Sequence, residues 1–347
     1  MAEIVTMVGK ICLVTGATAG IGFITARELA RMGATVVLVG RNKQKCEKAV
    51  AYIRSATGNN AVEYLVADLS SQSNIRRLVR EYLSRHSRLN VLINNAGALF
   101  AHRQESVDGI EMTLALNHLS YFLLTTLLLD TLQASAPCRI VNVSSHAHEM
   151  VTSFNFEDPQ MSRTGLFGYN RSEPISAIYT LFAPMVHPAL LQYARSKLAN
   201  LLFAYELAMR LEGTGVTVNS LHPGFVHSSF MMGNGTLGAF MRLWAILFGI
   251  SAEEGAKTSI YLASASEVEG ITGKHFMKCQ PTATSPASND EIAAKRLWLL
   301  SEKLTSSKTS AQEAQHDQGG ASGVARSQGG DDVPGTHRRD GYRGFVD

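Results

Sequence analysis

Six short runs rich in β-branched and aliphatic residues punctuate the first two thirds of this chain. They are KICLVT (10–15), TVVLVG (35–40), VEYLVA (62–67), LNVLINN (89–95), RIVNVS (139–144) and GVTVNSLHP (215–223). Their length and composition read as strands. Between them lie stretches with helical spacing, GFITARELARMG (22–33) and NIRRLVREYLSRH (74–86), and the apolar-rich MTLALNHLSYFLLTTLLLDTLQ (112–133). Strands that are apolar on both faces need cover on both sides, which a parallel sheet between helix layers supplies. The fold class expected is α/β: a doubly wound parallel sheet in one domain over 7–303, without internal repeats.

Two regions break the alternation. Residues 150–190 carry Pro159, Pro174, Pro184 and Pro188 around the apolar ISAIYTLFAPMV (175–186), which reads as an insertion at about 165–190. Residues 304–347 are rich in Gly, Ser and Gln and nearly free of large apolar side chains. Such a composition does not bury enough surface to offset its ordering entropy, so a disordered tail is expected.

Composition excludes several partners. The net charge of +3 is small and its basic residues are scattered, which does not indicate nucleic acid. Cys12, Cys46, Cys138 and Cys279 lie far apart with no CxxC pair, against a zinc site or disulfide framework and in keeping with a reducing compartment. His146 and His148, two apart without carboxylate or Cys partners, read as loop residues, and no metal is expected. The first residues lack the pattern of a secretory leader, and no uninterrupted apolar run reaches 18 residues. A cytoplasmic protein is expected, with a homo-oligomer left open.

The stretch TGATAGIG (15–22) follows the first strand and opens the first helix. Gly16 suits a tight turn, Gly20 allows backbone to approach a pyrophosphate, and Gly22 allows close helix–strand packing. The helix N-terminus then offers N–H groups to phosphate. The spacing is G-x3-G-x-G, so the loop could equally be a plain tight turn if it stood alone. The second strand ends at Gly40-Arg41, with no acid in 38–42. A carboxylate there would hold the ribose hydroxyls of NAD, whereas a guanidinium pairs a 2′-phosphate. NADP(H) is therefore expected over NAD(H). Asp68, ending the third strand, is placed for an adenine amino group, and NNAG (94–97), ending the fourth, for the adenosine ribose. All sit at carboxyl ends of strands, where open α/β sheets bind ligands.

In QYARSKLAN (192–200) a Tyr and a Lys stand four apart, on one face of a helix. That spacing alone leaves a solvated face and an acid–base device equally open. Its company decides: TGATAGIG, DL at 68–69, NNAG, Asn117, SS at 144–145, YARSK and HPG at 222–224 resemble, in order, the short-chain dehydrogenase/reductase family, a Rossmann fold. Within it, NHLSYFLLTTLLL, RIVNVSSHAH, SKLANLLFAYELAMRL and TGKHFMKC are similar to the retinol dehydrogenase subgroup.

The resemblance implies a catalytic tetrad of Asn117, Ser145, Tyr193 and Lys197. It implies cofactor contacts from Gly16, Thr18, Ala19, Gly20, Ile21 and Gly22 in the first loop, and from Arg41, Asp68 and Leu69 on the adenosine side. Asn95, Ala96 and Gly97 would lie along the ribose. Tyr193 and Lys197 would meet the nicotinamide ribose, with Pro223, Gly224, Val226 and Ser228 beside the nicotinamide. Ser145 would bond the substrate oxygen and Asn117 would hold a water that links Lys197 to solvent. Lowering a phenol by about 3 pH units takes about 4 kcal/mol, which one ammonium at about 4 Å supplies at an effective dielectric near 20. The implied activity is hydride exchange between NADP(H) and an apolar carbonyl or alcohol, retinal-like, with peripheral membrane contact left open.

Ser145 and Tyr193 stand 48 residues apart, farther than is usual in the subgroup, with the excess around 170–190. ISAIYTLFAPMV is expected as a wall over an apolar substrate, and LGAFMRLWAILFGI (237–250) as a second covering segment or as core. Protochlorophyllide reductases also carry extra sequence there, but have Cys after Pro-Gly where this chain has Phe225. A non-catalytic NADP-binding sensor is the other alternative, weakened by the intact tetrad.

Overall fold

The computed structural model describes residues 6–162, 188–226, 231–232 and 249–306. All six expected strands form, with ends within two residues of those read from sequence: β1 (Ile11–Thr15), β2 (Thr35–Gly40), β3 (Val62–Val66), β4 (Val91–Asn94), β6 (Cys138–Val143) and β7 (Val216–His222). With β9 (Lys274–Met277) and β10 (Gln280–Pro281) they make one sheet in the order β10-β9-β7-β6-β4-β1-β2-β3, parallel except for β10. A separate pair joins β5 (Leu99–Phe100) to β8 (Met231–Met232).

Alternation along each strand feeds two cores. Leu13, Val37, Leu65 and Leu92 face a cluster with α3 (Gln72–Arg85), α5 (Ser120–Leu127), α7 (Pro188–Arg210) and α9 (Glu291–Thr305). Cys12, Val14, Val36 and Ile93 face the other, with α1 (Gly20–Arg31), α2 (Lys43–Thr57) and α8 (Ala252–Ser264). The chain builds outward from β1 to β3 in one direction, then through β4, β6 and β7 in the other. The direction reverses between β1 and β4, which opens a crevice at their carboxyl ends.

The stretch 112–133 differs from the single helix its composition predicts. It runs as α4 (Met112–Leu114), a π-helical turn (Ala115–Leu119), α5, and α6 (Leu129–Ala134) after a break at Leu128. Dense apolar residues conceal such breaks, because almost every register buries a side chain. α9 also runs two residues into the stretch read as tail, because Thr305 is buried and donates to Ser301 O at 2.7 Å. The tail from 307 on, the apolar stretch 175–186 and residues 237–248 lie outside the described residues.

The β9–β10 turn consists of Lys278 (φ 51°) and Cys279 (φ 62°), both left-handed without being glycine. A two-residue hairpin loop of this hand favours Asn-Gly, and each wrong residue costs about 1–2 kcal/mol. The double substitution Lys278→Asn, Cys279→Gly is expected to raise the thermal midpoint by a few degrees in calorimetry, at about 2–4 °C per kcal/mol. An unchanged or lower midpoint would show that the turn is not strained.

Candidate active site

The first loop is glycine-rich for steric reasons. Gly16 (φ 64°) and Gly20 (φ 58°) adopt the left-handed region. A Cβ on Gly22 would lie 2.5 Å from Asn95 Nδ2 and 2.6 Å from Gly16 O. Asn95 Nδ2 donates to Thr15 O at 2.8 Å, while Thr15 Oγ1 accepts from the N–H groups of Asn95 (2.8 Å) and Ala96 (3.0 Å). Thus NNAG is stitched to the glycine loop across the crevice. Ala19 precedes α1 without a side-chain cap, so the first-turn N–H groups of Gly20, Ile21 and Gly22 face the crevice mouth as a ready anion site.

Gly40 closes β2 against this loop: a Cβ there would lie 2.6 Å from Thr18 Cγ2 and 2.7 Å from Cys46 Sγ. Arg41 follows on the surface, and Asn42 caps α2 by accepting from Lys45 N at 3.0 Å. Asp68 is exposed at the end of the next strand, its carboxylate accepting from Ser70 N (3.0 Å) and Ser70 Oγ (2.7 Å), while Leu69 is buried. Thr15 is a structural part of the site that the motif reading gave no role, and Asn95, expected along the ribose, also ties the two loops together.

On the other side of the crevice stands α7. Its residue Lys197 is 3 % exposed, donates from Nζ to Val143 O at 3.0 Å, and lies 5.5 Å from the centre of the Tyr193 ring and 5.8 Å from that of Tyr121. Tyr193 is hydrogen-bonded to Ser145. Ser145 begins a 3-10 turn (His146–Met150), its Oγ accepting from Ala147 N at 3.2 Å. Gly97 completes the group, since a Cβ there would lie 3.2 Å from Asn117 Oδ1 and 3.6 Å from Lys197 Nζ.

The π turn explains the placement of Asn117, which no local pattern announces. Its side-chain amide grips Ala98 twice, Oδ1 accepting from Ala98 N and Nδ2 donating to Ala98 O, each at 2.9 Å, and Nδ2 also donates to Ser196 Oγ at 3.1 Å. The side chain is thus a clamp between Ala98, the residue after NNAG, and α7. π turns of this kind concentrate at functional sites.

A second buried clamp was missed entirely from sequence. Glu111 caps α4 through Thr113 N and Leu114 N and accepts from Gln192 Nε2 at 2.6 Å. Arg195 donates to Gln192 Oε1 and to Asp158 O, each at 3.1 Å. Arg195, within YARSK, reads as a solvated charge but is 1 % exposed.

Val226 and Ile21 of the phosphate loop both border Gly255 of α8. A Cβ on Gly224 (φ 90°) would lie 2.5 Å from Ile250 Cδ1, and one on Gly255 2.5 Å from Val226 Cγ2 and 3.3 Å from Ile21 Cγ1. Ser228 lies outside the described residues. Among the described residues no group of three His, Cys, Asp or Glu could hold a metal ion, and no helix is long and apolar enough to cross a membrane.

Electrostatics departs from the simple expectation. Burial pushes the Tyr193 phenol above its ordinary 10, with the Ser145 hydrogen bond opposing, and pushes the Lys197 ammonium down to about 7. Desolvation therefore outweighs the Ser145 hydrogen bond in the protein alone. Tyr193 is a protonated phenol near neutrality, and Lys197 sits at the edge of losing its charge.

Residues 10–155 match the family model described as short chain dehydrogenase. Retinol dehydrogenase 12 of Homo sapiens is 41% identical over 300 residues, covering 86% of this chain and 87% of that protein. The chain belongs to the short-chain dehydrogenase family. Retinol dehydrogenase 11 of Mus musculus is 39% identical over 302 residues, with 86% of each chain covered. A solved Mycobacterium paratuberculosis protein matches with TM-score 0.65 and 32% identity over 88% of this chain and 96% of its own. The NADP active-site complex of Pseudomonas aeruginosa RhlG matches with TM-score 0.58 and 28% identity, covering 80% and 97%. This short-chain dehydrogenase is thus an oxidoreductase related to the retinol dehydrogenases, on a mainly parallel α/β sheet.

Proposed function

We propose that this enzyme transfers hydride between NADP(H) and an apolar carbonyl or alcohol, with a retinal-like aldehyde as its best substrate. The observation that carries the reading is the Ser145–Tyr193–Lys197 group at the carboxyl end of the sheet, with Tyr193 bonded to Ser145 and both Tyr193 and Lys197 buried. The relatives named retinol dehydrogenases support the apolar substrate. The four unpaired cysteines agree with a cytoplasmic setting, which is part of the proposal.

The residues fit the cofactor. Thr18–Gly22 would hold the pyrophosphate on the start of α1, Asp68 and Leu69 the adenine, Asn95–Gly97 the ribose, and Pro223–Val226 the nicotinamide edge. When bound, the nicotinamide supplies or accepts the hydride. The rest of the chemistry belongs to this chain. In reduction, Ser145 and Tyr193 donate hydrogen bonds to the substrate oxygen, strongest as negative charge develops there. Tyr193, kept protonated by burial, then gives its proton to the alkoxide. The Lys197 ammonium, fixed by Val143 O, stabilises the phenolate left behind. Asn117 keeps Ala98 and Ser196, and with them Lys197, in register.

Arg41, the first residue beyond β2 on the surface, would pair the 2′-phosphate. Comparing kcat/KM for NADPH and NADH tests this: the wild type is expected to favour NADPH. Arg41→Asp should lose about 1.5–3 kcal/mol with NADPH, the worth of a charged hydrogen bond, and little with NADH. Equal preference in both proteins would remove Arg41 as the discriminator.

A further inference from the structure

Four imidazoles crowd behind Ser145, and the mechanism above uses none of them. His146 and His222 rings lie 5.7 Å apart, His146 and His148 6.3 Å, and His148 and His275 5.8 Å. Two of them grip the same peptide. The carbonyl of Ser145 accepts from His148 Nδ1 at 2.8 Å, and the N–H of His146, the other end of that peptide bond, donates to His222 Nδ1 at 3.2 Å.

The partners determine the tautomers. A carbonyl only accepts, so His148 carries its proton on Nδ1; its Nε2 is then the acceptor for Ser285 N at 3.3 Å. A backbone N–H only donates, so His222 Nδ1 is bare and its proton is on Nε2. Same atom name, opposite roles.

We propose that His148 and His222 are positioning residues that clamp the Ser145–His146 peptide from both sides in opposite tautomers, holding the Ser145 hydroxyl in place for the reaction proposed above. His222 ends β7 immediately before Pro223-Gly224, so the clamp also ties the serine loop to the loop assigned to the nicotinamide. The two histidines stand 74 residues apart and meet because β6 and β7 pair in parallel, with Val143 opposite Leu221. A peptide held at both ends cannot rotate, and rotation there would swing Ser145, whose correct placement to within about 1 Å is worth up to about 10²-fold in rate.

The clamp requires both rings neutral. A proton on His222 Nδ1 would face the His146 N–H, and one on His148 Nε2 would face the Ser285 N–H. Burial, with His146 and His148 adding repulsion, holds His222 down to about 4, and burial likewise lowers His148. The other ionisable groups around them are His146, which pairs with Glu149 at 3.2 Å, and His275, which burial holds at about 3 and which bonds Ser220 Oγ at 2.9 Å.

The test joins ring ¹⁵N NMR on the full-length protein with kinetics on retinal and NADPH. In the NMR arm, His148→Asn and His222→Asn assign the signals. The expected spectrum has Nδ1 protonated in His148 and bare in His222 near pH 7; one shared tautomer, or exchange between tautomers in either ring, overturns the clamp. In the kinetic arm, His148→Leu and His222→Leu are expected to lower kcat about 10- to 100-fold, with NADPH affinity unchanged in His148→Leu. The Asn variants, whose Nδ2 or Oδ1 can replace the lost donor or acceptor, should recover most of that loss. Leu variants with wild-type kcat, or Asn variants no better than Leu, overturn the positioning role. If the wild type turns over no carbonyl, the proposed function fails, while the NMR arm still decides the clamp.

Discussion

Tyr193→Phe is expected to lower kcat for carbonyl reduction by about 10²- to 10⁴-fold, the usual worth of a positioned proton donor, with NADPH affinity unchanged. The substitution removes one hydroxyl and leaves the ring that packs with Leu99, Met161 and Ala189. Lys197→Met should lose a similar factor, because the phenolate then forms without its ammonium. The pH dependence follows from the same pair. Reduction needs the protonated phenol and the ammonium together; burial raises the first above 10 and lowers the second to about 7. In the free enzyme kcat/KM should therefore be level at lower pH and fall as pH rises through about 7, the form lost being the charged lysine. A Tyr193→Phe enzyme of undiminished rate would remove the phenol as the proton source, and a profile flat from pH 6 to 9 would remove Lys197 as the group that titrates.

The second large effect concerns binding. Gly22→Val is expected to weaken NADPH binding, since its Cβ would stand 2.5 Å from Asn95 Nδ2 and 2.6 Å from the Gly16 carbonyl. The Asn95 amide is held by Thr15 O, and the carbonyl is backbone, so neither yields cheaply. Overpacking of this kind costs about 1–3 kcal/mol. Placed on the phosphate loop, that is about 5- to 150-fold in dissociation constant, as 1.4 kcal/mol is tenfold. Fluorescence titration with NADPH, alongside a thermal melt, measures it. Wild-type affinity and midpoint in the variant would mean that the loop does not pack as described.

What the sequence made legible shares a local cause. Strands β1, β2 and β4 are apolar on both faces, and the conformational needs of Gly16 and Gly20 are met by residue type alone. The Tyr193–Lys197 pair is a matter of helical spacing. The hidden features are those that depend on distant partners. The π turn at Ala115–Leu119 lies in a stretch so uniformly apolar that no periodicity marks it. Arg195 looks like surface charge until Gln192 and Asp158 O are seen around it. His148 reads as a loop residue and His222 as the end of a strand, and only strand pairing brings them to one peptide. Burial of the Tyr193 phenol is hidden for a similar reason: charge proximity can be read from spacing, but the depth of burial that opposes it cannot.

The most direct test is isotopic. The protein would be incubated with NADPH carrying deuterium on the transferable face of C4 and with all-trans-retinal, and the product analysed by mass spectrometry. Retinol bearing one deuterium at the former carbonyl carbon, absent when Tyr193→Phe replaces the wild type, is the result expected of hydride transfer at this site. Retinal and other apolar carbonyls recovered unreduced from a protein that binds NADPH would contradict it.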